Sequence, residues 1–160
     1  MKIPRWIKRT LIVTGGLAIA IQFIPVSRTN PPVVKELTWD SPKTKIFAQR
    51  ACFDCHSNVA KWPWYSYVAP MSWLILRDVN DARERLNFSD IGPEDRAGLL
   101  IKRIQSGSMP LPRYAALHPS ARLTDEERKE FIAGLRRSFE ISGNGSSEGK
   151  DEEHKHDHHH

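Results

Sequence analysis

The chain holds only two cysteines in 160 residues, and they lie three positions apart. A disulfide between thiols so close would span too short a loop to stabilise much. With no second cysteine pair, a zinc site would need its remaining ligands from scattered histidines. No stretch alternates apolar and polar residues in the manner of a half-buried strand, and no segment repeats. The βαβ frame in which a redox dithiol sits is therefore missing as well. No basic stripe with interleaved aromatics occurs, which removes nucleic acid as a partner. The longest apolar run is short for a full membrane span.

That run covers residues 11–26, interrupted by Thr14, two glycines and Gln22, with Trp6 and Ile7 extending it toward the interface. Lys2, Arg5, Lys8 and Arg9 precede it. Such a basic flank stays in the cytoplasm, so the chain beyond the run emerges on the outer side. Ala18-Ile19-Ala20 has the form of a signal-peptidase site, yet apolar residues continue past it to Val26. An uncleaved signal-anchor is favoured over a cleaved signal peptide on that ground, and both export the rest of the chain. The expectation is one N-terminal transmembrane helix in the inner (cytoplasmic) membrane. The remainder then faces the periplasm or exterior, so that its partners are proteins of the envelope. The net charge of +5 belongs partly to this flank, and a mixed, solvated surface accounts for the rest.

The two cysteines belong to Cys52-Phe53-Asp54-Cys55-His56. C-x-x-C-H is the attachment signature of a c-type haem. One helical turn brings Cys52 and Cys55 to one side, where each thiol can add to a vinyl group of one flat porphyrin. His56 then reaches the iron as the proximal axial ligand. The implied cofactor is one covalent haem c.

Around this motif the residues read as helices. Ser41-Pro42 is an N-cap followed by proline at the first helical position, opening a helix over 43–52. Trp62, Pro63, Trp64 and Tyr65 begin an aromatic, proline-rich loop. Further helices fit 72–86, with Trp73, Leu74, Leu76 and Val79 for burial, and 93–106, with Leu99, Leu100, Ile101 and Ile104 as its stripe and Gly107 to end it. A last helix fits 124–139, where Thr124 and Glu127 form a capping box ahead of Phe131, Ile132, Leu135 and Phe139. The organisation is a signal-anchor over 1–27, an extended tether over 28–40 and a domain over 41–140. A histidine-rich, acidic tail over 141–160 has the composition of a disordered segment. Histidines such as those at 154, 156 and 158–160 bind transition metals adventitiously. The fold class is all-α, about four helices around the haem, preceded by the transmembrane helix.

The sixth iron position decides between carrying electrons and binding small molecules. Met109 stands in a proline-stiffened loop just ahead of the last helix, a layout that resembles class I cytochromes c. His118 would give bis-histidine ligation, Met71 is a further candidate, and an open iron completes the set. Trp62, Trp64, Tyr65 and Trp73 are candidates to line the haem pocket, where macrocycle and hydrophobic core merge. Arg77, Arg83 and Arg113 are candidates to pair with propionates.

Taken together, Arg50-Ala51-Cys52-Phe53-Asp54-Cys55-His56-Ser57-Asn58, Trp62-Pro63-Trp64-Tyr65-Ser66, Ala69-Pro70 and Ser72-Trp73 resemble the bacterial haem-binding domain family. So do Leu86-Asn87-Phe88-Ser89, Gly107-Ser108-Met109-Pro110-Leu111-Pro112-Arg113-Tyr114 and Leu117-His118-Pro119. The resemblance spans roughly residues 31–135 and implies a small, membrane-anchored, c-type cytochrome-like protein with covalent haem at Cys52, Cys55 and His56. The expected function is single-electron transfer without substrate chemistry, hence not an enzyme. A haem-based sensor or ligand-binding module with an open or displaceable sixth site is the alternative, and peroxidase-like activity ranks behind both.

Overall fold

The structure, a computed structural model, describes residues 4–91 and 97–153, the last ten as backbone alone. Helices α1 (Arg5–Ala20), α2 (Pro42–Ala51), α3 (Phe53–His56), α4 (Met71–Arg85), α5 (Ala97–Gln105), α6 (Pro112–Leu117) and α7 (Asp125–Glu153) succeed one another along the chain. One-turn 3-10 segments lie at Ile21–Phe23, Trp64–Tyr67 and Pro119–Ala121. Among the described residues no strand forms, and an isolated parallel bridge joins Lys35 to Asp90. The expected start of the third helix, at Pro93, lies outside the described residues.

Local chemistry sets the helix ends. The Ser41 hydroxyl accepts from the Thr44 N–H at 3.3 Å, and Pro42 occupies the first turn of α2. At α7, Thr124 Oγ1 accepts from the Glu127 N–H at 3.2 Å while Glu127 Oε2 accepts from the Thr124 N–H at 2.9 Å. That reciprocal pair satisfies two donors a helix start leaves orphaned. After α5 the chain turns at Gly107, whose φ of +69° suits a residue without a Cβ.

The outer helices of the domain, α2 and α7, pack face to face. Gly134 of α7 meets the Thr44 side chain so closely that a Cβ at 134 has no room. Around this contact lies a core of Leu37, Phe47, Phe53, Phe88, Leu100, Ile104, Phe131 and Leu135. Phe53 and Phe88 stack at 5.7 Å, Trp39 lies 5.4 Å from Phe88, and Phe47 meets Phe131 edge-on at 6.0 Å. The core is thus built of phenylalanines, not of the tryptophans expected to merge with the pocket. Val79 is buried as expected, but Leu74 of α4 and Leu99 of α5 are exposed; Ser72, Ala82 and Ala97 take the inward positions.

Three expectations change. Residues 28–40 are not a tether but a strap built into the domain. The N–H groups of Val34 and Lys35 donate to the Ser89 carbonyl at 2.9 and 3.1 Å, and that of Leu37 donates to Phe88 O at 3.2 Å. Leu37 is 2% exposed. Proline-rich sequence forbids helix but leaves the backbone extended and able to pair, which composition alone conceals. The last helix passes its expected end at 139 and runs to Glu153, because no proline occurs beyond Pro119 to break it; residues 154–160 lie outside the described residues. Finally, α1 has 16 residues, a rise of about 24 Å against the roughly 30 Å of a bilayer core. No described helix is long and apolar enough to cross a membrane, so the expected transmembrane helix is not found as such.

Asp40 ties the strap to α7. Its Oδ2 accepts from Arg137 Nε at 2.8 Å, and its backbone N–H donates to Ser138 Oγ at 3.0 Å. Burial pushes the Asp40 carboxyl up, but hydrogen bonds from Thr44, Arg137 and Ser138 outweigh that and hold it below the ordinary value. A lowered carboxylate contributes stability above its unfolded pKa of about 3.9 and loses it as pH falls through the folded value. Asp40→Asn should therefore flatten the acid limb of the stability–pH curve below about pH 4, measured by urea titration at stepped pH. Leu37→Ala should cost about 2–5 kcal/mol in the same assay; an unchanged midpoint would return residues 28–40 to the role of a linker.

Candidate haem site

The C-x-x-C-H residues sit at a break between two helices. α2 ends at Ala51, Cys52 adopts φ −129° and ψ −36°, and α3 then makes one turn from Phe53 to His56. The N–H groups of Cys55 and His56 both donate to Cys52 O, at 3.1 and 2.8 Å. This closed turn carries both thiols and the imidazole while Phe53 anchors it in the core. Behind it, the Phe88 N–H donates to His56 O at 2.8 Å. His56 Nδ1 lies 3.0 Å from Leu86 O. A carbonyl only accepts, so Nδ1 carries the proton and Nε2 keeps its lone pair, the arrangement of a metal-binding imidazole. Desolvation lowers the His56 pKa, only partly opposed by its bonds to the Leu86 and Ala82 backbone, so the ring is held neutral.

The thiols argue in the same direction. Desolvation, then Cys55, pushes Cys52 up to about 12. Desolvation, then Asp54 and Asp78, pushes Cys55 up to about 11. Reactive cysteines of redox dithiols have depressed pKa values, whereas burial shifts these two the other way. Among the described residues no group of three or more His, Cys, Asp or Glu gathers as a metal site, so the zinc alternative finds no further ligands there.

Two adjoining clefts open beside the turn, of about 690 and 710 Å³ with their mouths included. Both are open to solvent, so these volumes take in space outside the protein surface. The first is lined by Cys52, Cys55, His56, Arg85, Met109 and Leu111 among others. The second is lined by Cys55, Trp62, Tyr65, Met71, Leu74 and Leu117 among others. They share Cys55, Asp78, Leu111, Arg113 and Tyr114. A large flat apolar group held at Cys52 and Cys55 would have His56 beside it and apolar walls on both sides. The residues present fit haem.

The candidate residues divide accordingly. Met109 shares a cleft with His56; Met71 lines the other, and His118 lines neither. His118 instead stacks on Tyr114 at 4.1 Å, with its ring nitrogens 3.3 and 3.4 Å from the Tyr65 hydroxyl. Trp62 and Tyr65 line the second cleft, whereas Trp64 and Trp73 line neither. The 3-10 turn after Pro63 throws Trp64 outward, leaving it 78% exposed, while α4 leaves Trp73 half-buried to the side of the cleft.

Of the arginines, Arg113 lies where the clefts meet and donates to both Asp78 carboxylate oxygens, at 2.8 and 2.7 Å. Arg77 is exposed, with Asp81 at 3.7 Å. Arg83 donates to Ser57 O, Thr29 O and Asn30 Oδ1, at 2.9, 2.9 and 3.0 Å, clamping the residue after His56 to the strap. Arg85 and Asp78, which sequence reasoning did not single out, enter the site because α4 presents positions 78, 82 and 85 at helical spacing. That periodicity was the available signal.

Asp54 and Tyr114 close the floor. Asp54 Oδ1 accepts from the Lys61 N–H at 3.1 Å, and Oδ2 accepts from the Tyr114 hydroxyl at 2.6 Å. Desolvation, then the bond to Asp54, raises the Tyr114 pKa and keeps the phenol a donor. Tyr114→Phe removes that donor and should cost about 1–2 kcal/mol in thermal unfolding, below a fully buried charged bond because Asp54 is half-exposed.

The comparisons with known proteins accord with this geometry. Cytochrome c peroxidase Ccp of Escherichia coli (strain K12) is 28% identical over 100 residues, covering 54% of this chain and 21% of the peroxidase. The chain thus spans about a fifth of that relative's length. No solved structure matches it. Residues 16–137 match the haem-binding domain family. That stretch is most of the chain and contains the thiols, His56, Met109 and both clefts, so the chain belongs to the haem-binding domain family.

Proposed function

We propose that this is a monohaem c-type cytochrome that carries single electrons, with its haem bound covalently at Cys52 and Cys55. The observation that carries the reading is that Cys52, Cys55, His56 and Met109 line one cleft. Iron bound there supplies a one-electron ferric/ferrous couple, and a thioether ligand favours the ferrous form and raises the potential. The chain's own residues do the rest. Cys52 and Cys55 are presented as neutral thiols from one turn. Leu86 O sets the His56 tautomer and ring orientation, leaving Nε2 as proximal ligand. Met109 would hold the iron together with His56, ahead of His118, which is held between Tyr65 and Tyr114.

The N-terminal segment places the domain. The apolar helix α1 continues into the 3-10 turn Ile21–Phe23, with basic residues Arg5, Lys8 and Arg9 at its start. It associates with the inner membrane, basic end cytoplasmic, and the domain faces the periplasm or exterior toward redox proteins of the envelope.

The partial likeness to a cytochrome c peroxidase favours, as a second reading, a haem site that binds small molecules or peroxide. Such a site needs an open iron position with an acid–base group beside it. His56 is the one histidine lining the cleft that Met109 shares, and the charged groups there are Asp78, Asp81, Arg85 and Arg113.

Optical spectra of purified holoprotein separate the readings. The electron-carrier reading expects colour that stays with the polypeptide in acidified acetone, and loss of that colour in Cys52→Ala/Cys55→Ala. It expects a weak long-wavelength ferric charge-transfer band that disappears in Met109→Ala, and carbon monoxide binding that is slow in wild type and fast in the variant. Rapid carbon monoxide binding by wild type would overturn it in favour of an open sixth site.

A further inference from the structure

Most of the exposed large apolar side chains gather in two places that the fold fastens together. One is the N-terminal segment, where Trp6, Leu11, Ile12, Val13, Leu17, Ile19, Phe23 and Ile24 are all exposed and α1 has no buried residue. Among the described residues no helix of the domain packs against it. The other is the stretch from the Trp64–Tyr67 turn into α4, with Trp64, Tyr67, Val68, Met71 and Leu74 exposed.

Two links join them. Gln22, at the end of the apolar helix, forms a reciprocal amide pair with the loop. Its Oε1 accepts from the Ala69 N–H at 2.9 Å and its Nε2 donates to Ala69 O at 3.2 Å. A few residues on, Arg28 lies over the Tyr67 ring at 4.2 Å and donates to Ser66 O at 3.1 Å. Whatever apolar medium takes up α1 therefore has the 64–71 loop at its boundary. Trp and Tyr, with an apolar body and one polar tip, are the residues that settle at a lipid–water boundary. Arg28 beside Tyr67 adds a cation at the depth of lipid phosphates.

We infer that residues 64–71 form a membrane-contact face, with Trp64 and Tyr67 seated at the headgroup boundary next to the end of α1. The occupant is the lipid bilayer. The inference deepens the proposed membrane association and rests on it. It has a geometric consequence, because Tyr65, Met71 and Leu74 line the second cleft. Lipid contact at 64–71 holds the mouth of the haem site beside the membrane plane, where a partner residing in the bilayer would meet it.

The test uses the full chain, loaded with haem and reconstituted in vesicles of phosphatidylethanolamine and phosphatidylglycerol. Benzoylphenylalanine is placed singly at position 12 in α1, at 64, at 67, or at exposed position 129 on α7, and ultraviolet cross-linking to lipid is read by mass spectrometry. All four side chains are exposed, and the haem spectrum checks that each variant is folded. Lipid adducts at 12, 64 and 67 with none at 129 are the expected result. Adducts at 12 but not at 64 or 67 would overturn the contact face and leave α1 in lipid. No adduct at any position would overturn the membrane reading of α1 and this inference with it. Equal adducts at 129 would overturn the contact face as well, since lipid would then touch the domain without preference.

Discussion

The turn that carries Cys52, Cys55 and His56 depends on the backbone of residues 86–89, the extended link after α4. On one side it holds the haem turn: Leu86 O accepts from His56 Nδ1–H, and the Phe88 N–H donates to His56 O. On the other it holds the strap, through Phe88 O to Leu37 and Ser89 O to Val34 and Lys35. Side chains bind the link to the residues after the haem turn as well, with the Asn58 N–H donating to Ser89 Oγ and Asn87 Nδ2 donating to Asn58 Oδ1. Phe88, fully buried against Phe53 and Trp39, fastens the link to the core. A one-turn helix such as α3 is too short to be stable alone. It persists because these backbone groups, buried with it, have no better partners.

The electrostatics arise from that placement. Packing the turn against the link desolvates two thiols and an imidazole, and desolvation favours the uncharged form of each. The thiols rise and the imidazole falls, so all three are neutral near pH 7. Cys52, Cys55 and His56 line one cleft, an arrangement that suits an apolar macrocycle with an iron at its centre. Arg113 and Asp78 pair where the two clefts meet, and Arg85 lines the first cleft.

Much of the helical layout was legible because caps and stops are local chemistry. Ser41-Pro42, the Thr124–Glu127 box and Gly107 each act over a few residues, and each lies at a helix boundary in the structure. Long-range pairing was not legible. Residues 28–40 read as a tether because proline and asparagine rule out helix, while their bonds to residues about fifty positions away leave no trace in composition. The aromatics misled for a related reason: a tryptophan after a proline turn faces wherever the turn points, and Trp64 points to solvent. Arg83 likewise looked like a partner for a cofactor's carboxylates, and tertiary contacts spend its guanidinium on the strap.

By itself the sequence determined the chemistry on offer: two thiols and a histidine at attachment spacing, a methionine in a proline-stiffened loop, an apolar N-terminal segment behind basic residues, and helices to hold them. Those are properties of residue type and near spacing, which a linear chain carries in full. Only the tertiary structure decided which groups share a wall. Met109 shares a cleft with His56, His118 is captured by two tyrosines, Tyr65 lines the site while Trp64 leaves it, and Gln22 fastens the apolar segment to the aromatic loop. Those choices arise from burying Leu37, Phe88 and Phe131 together and satisfying the backbone around them, a competition among distant residues that no local pattern encodes.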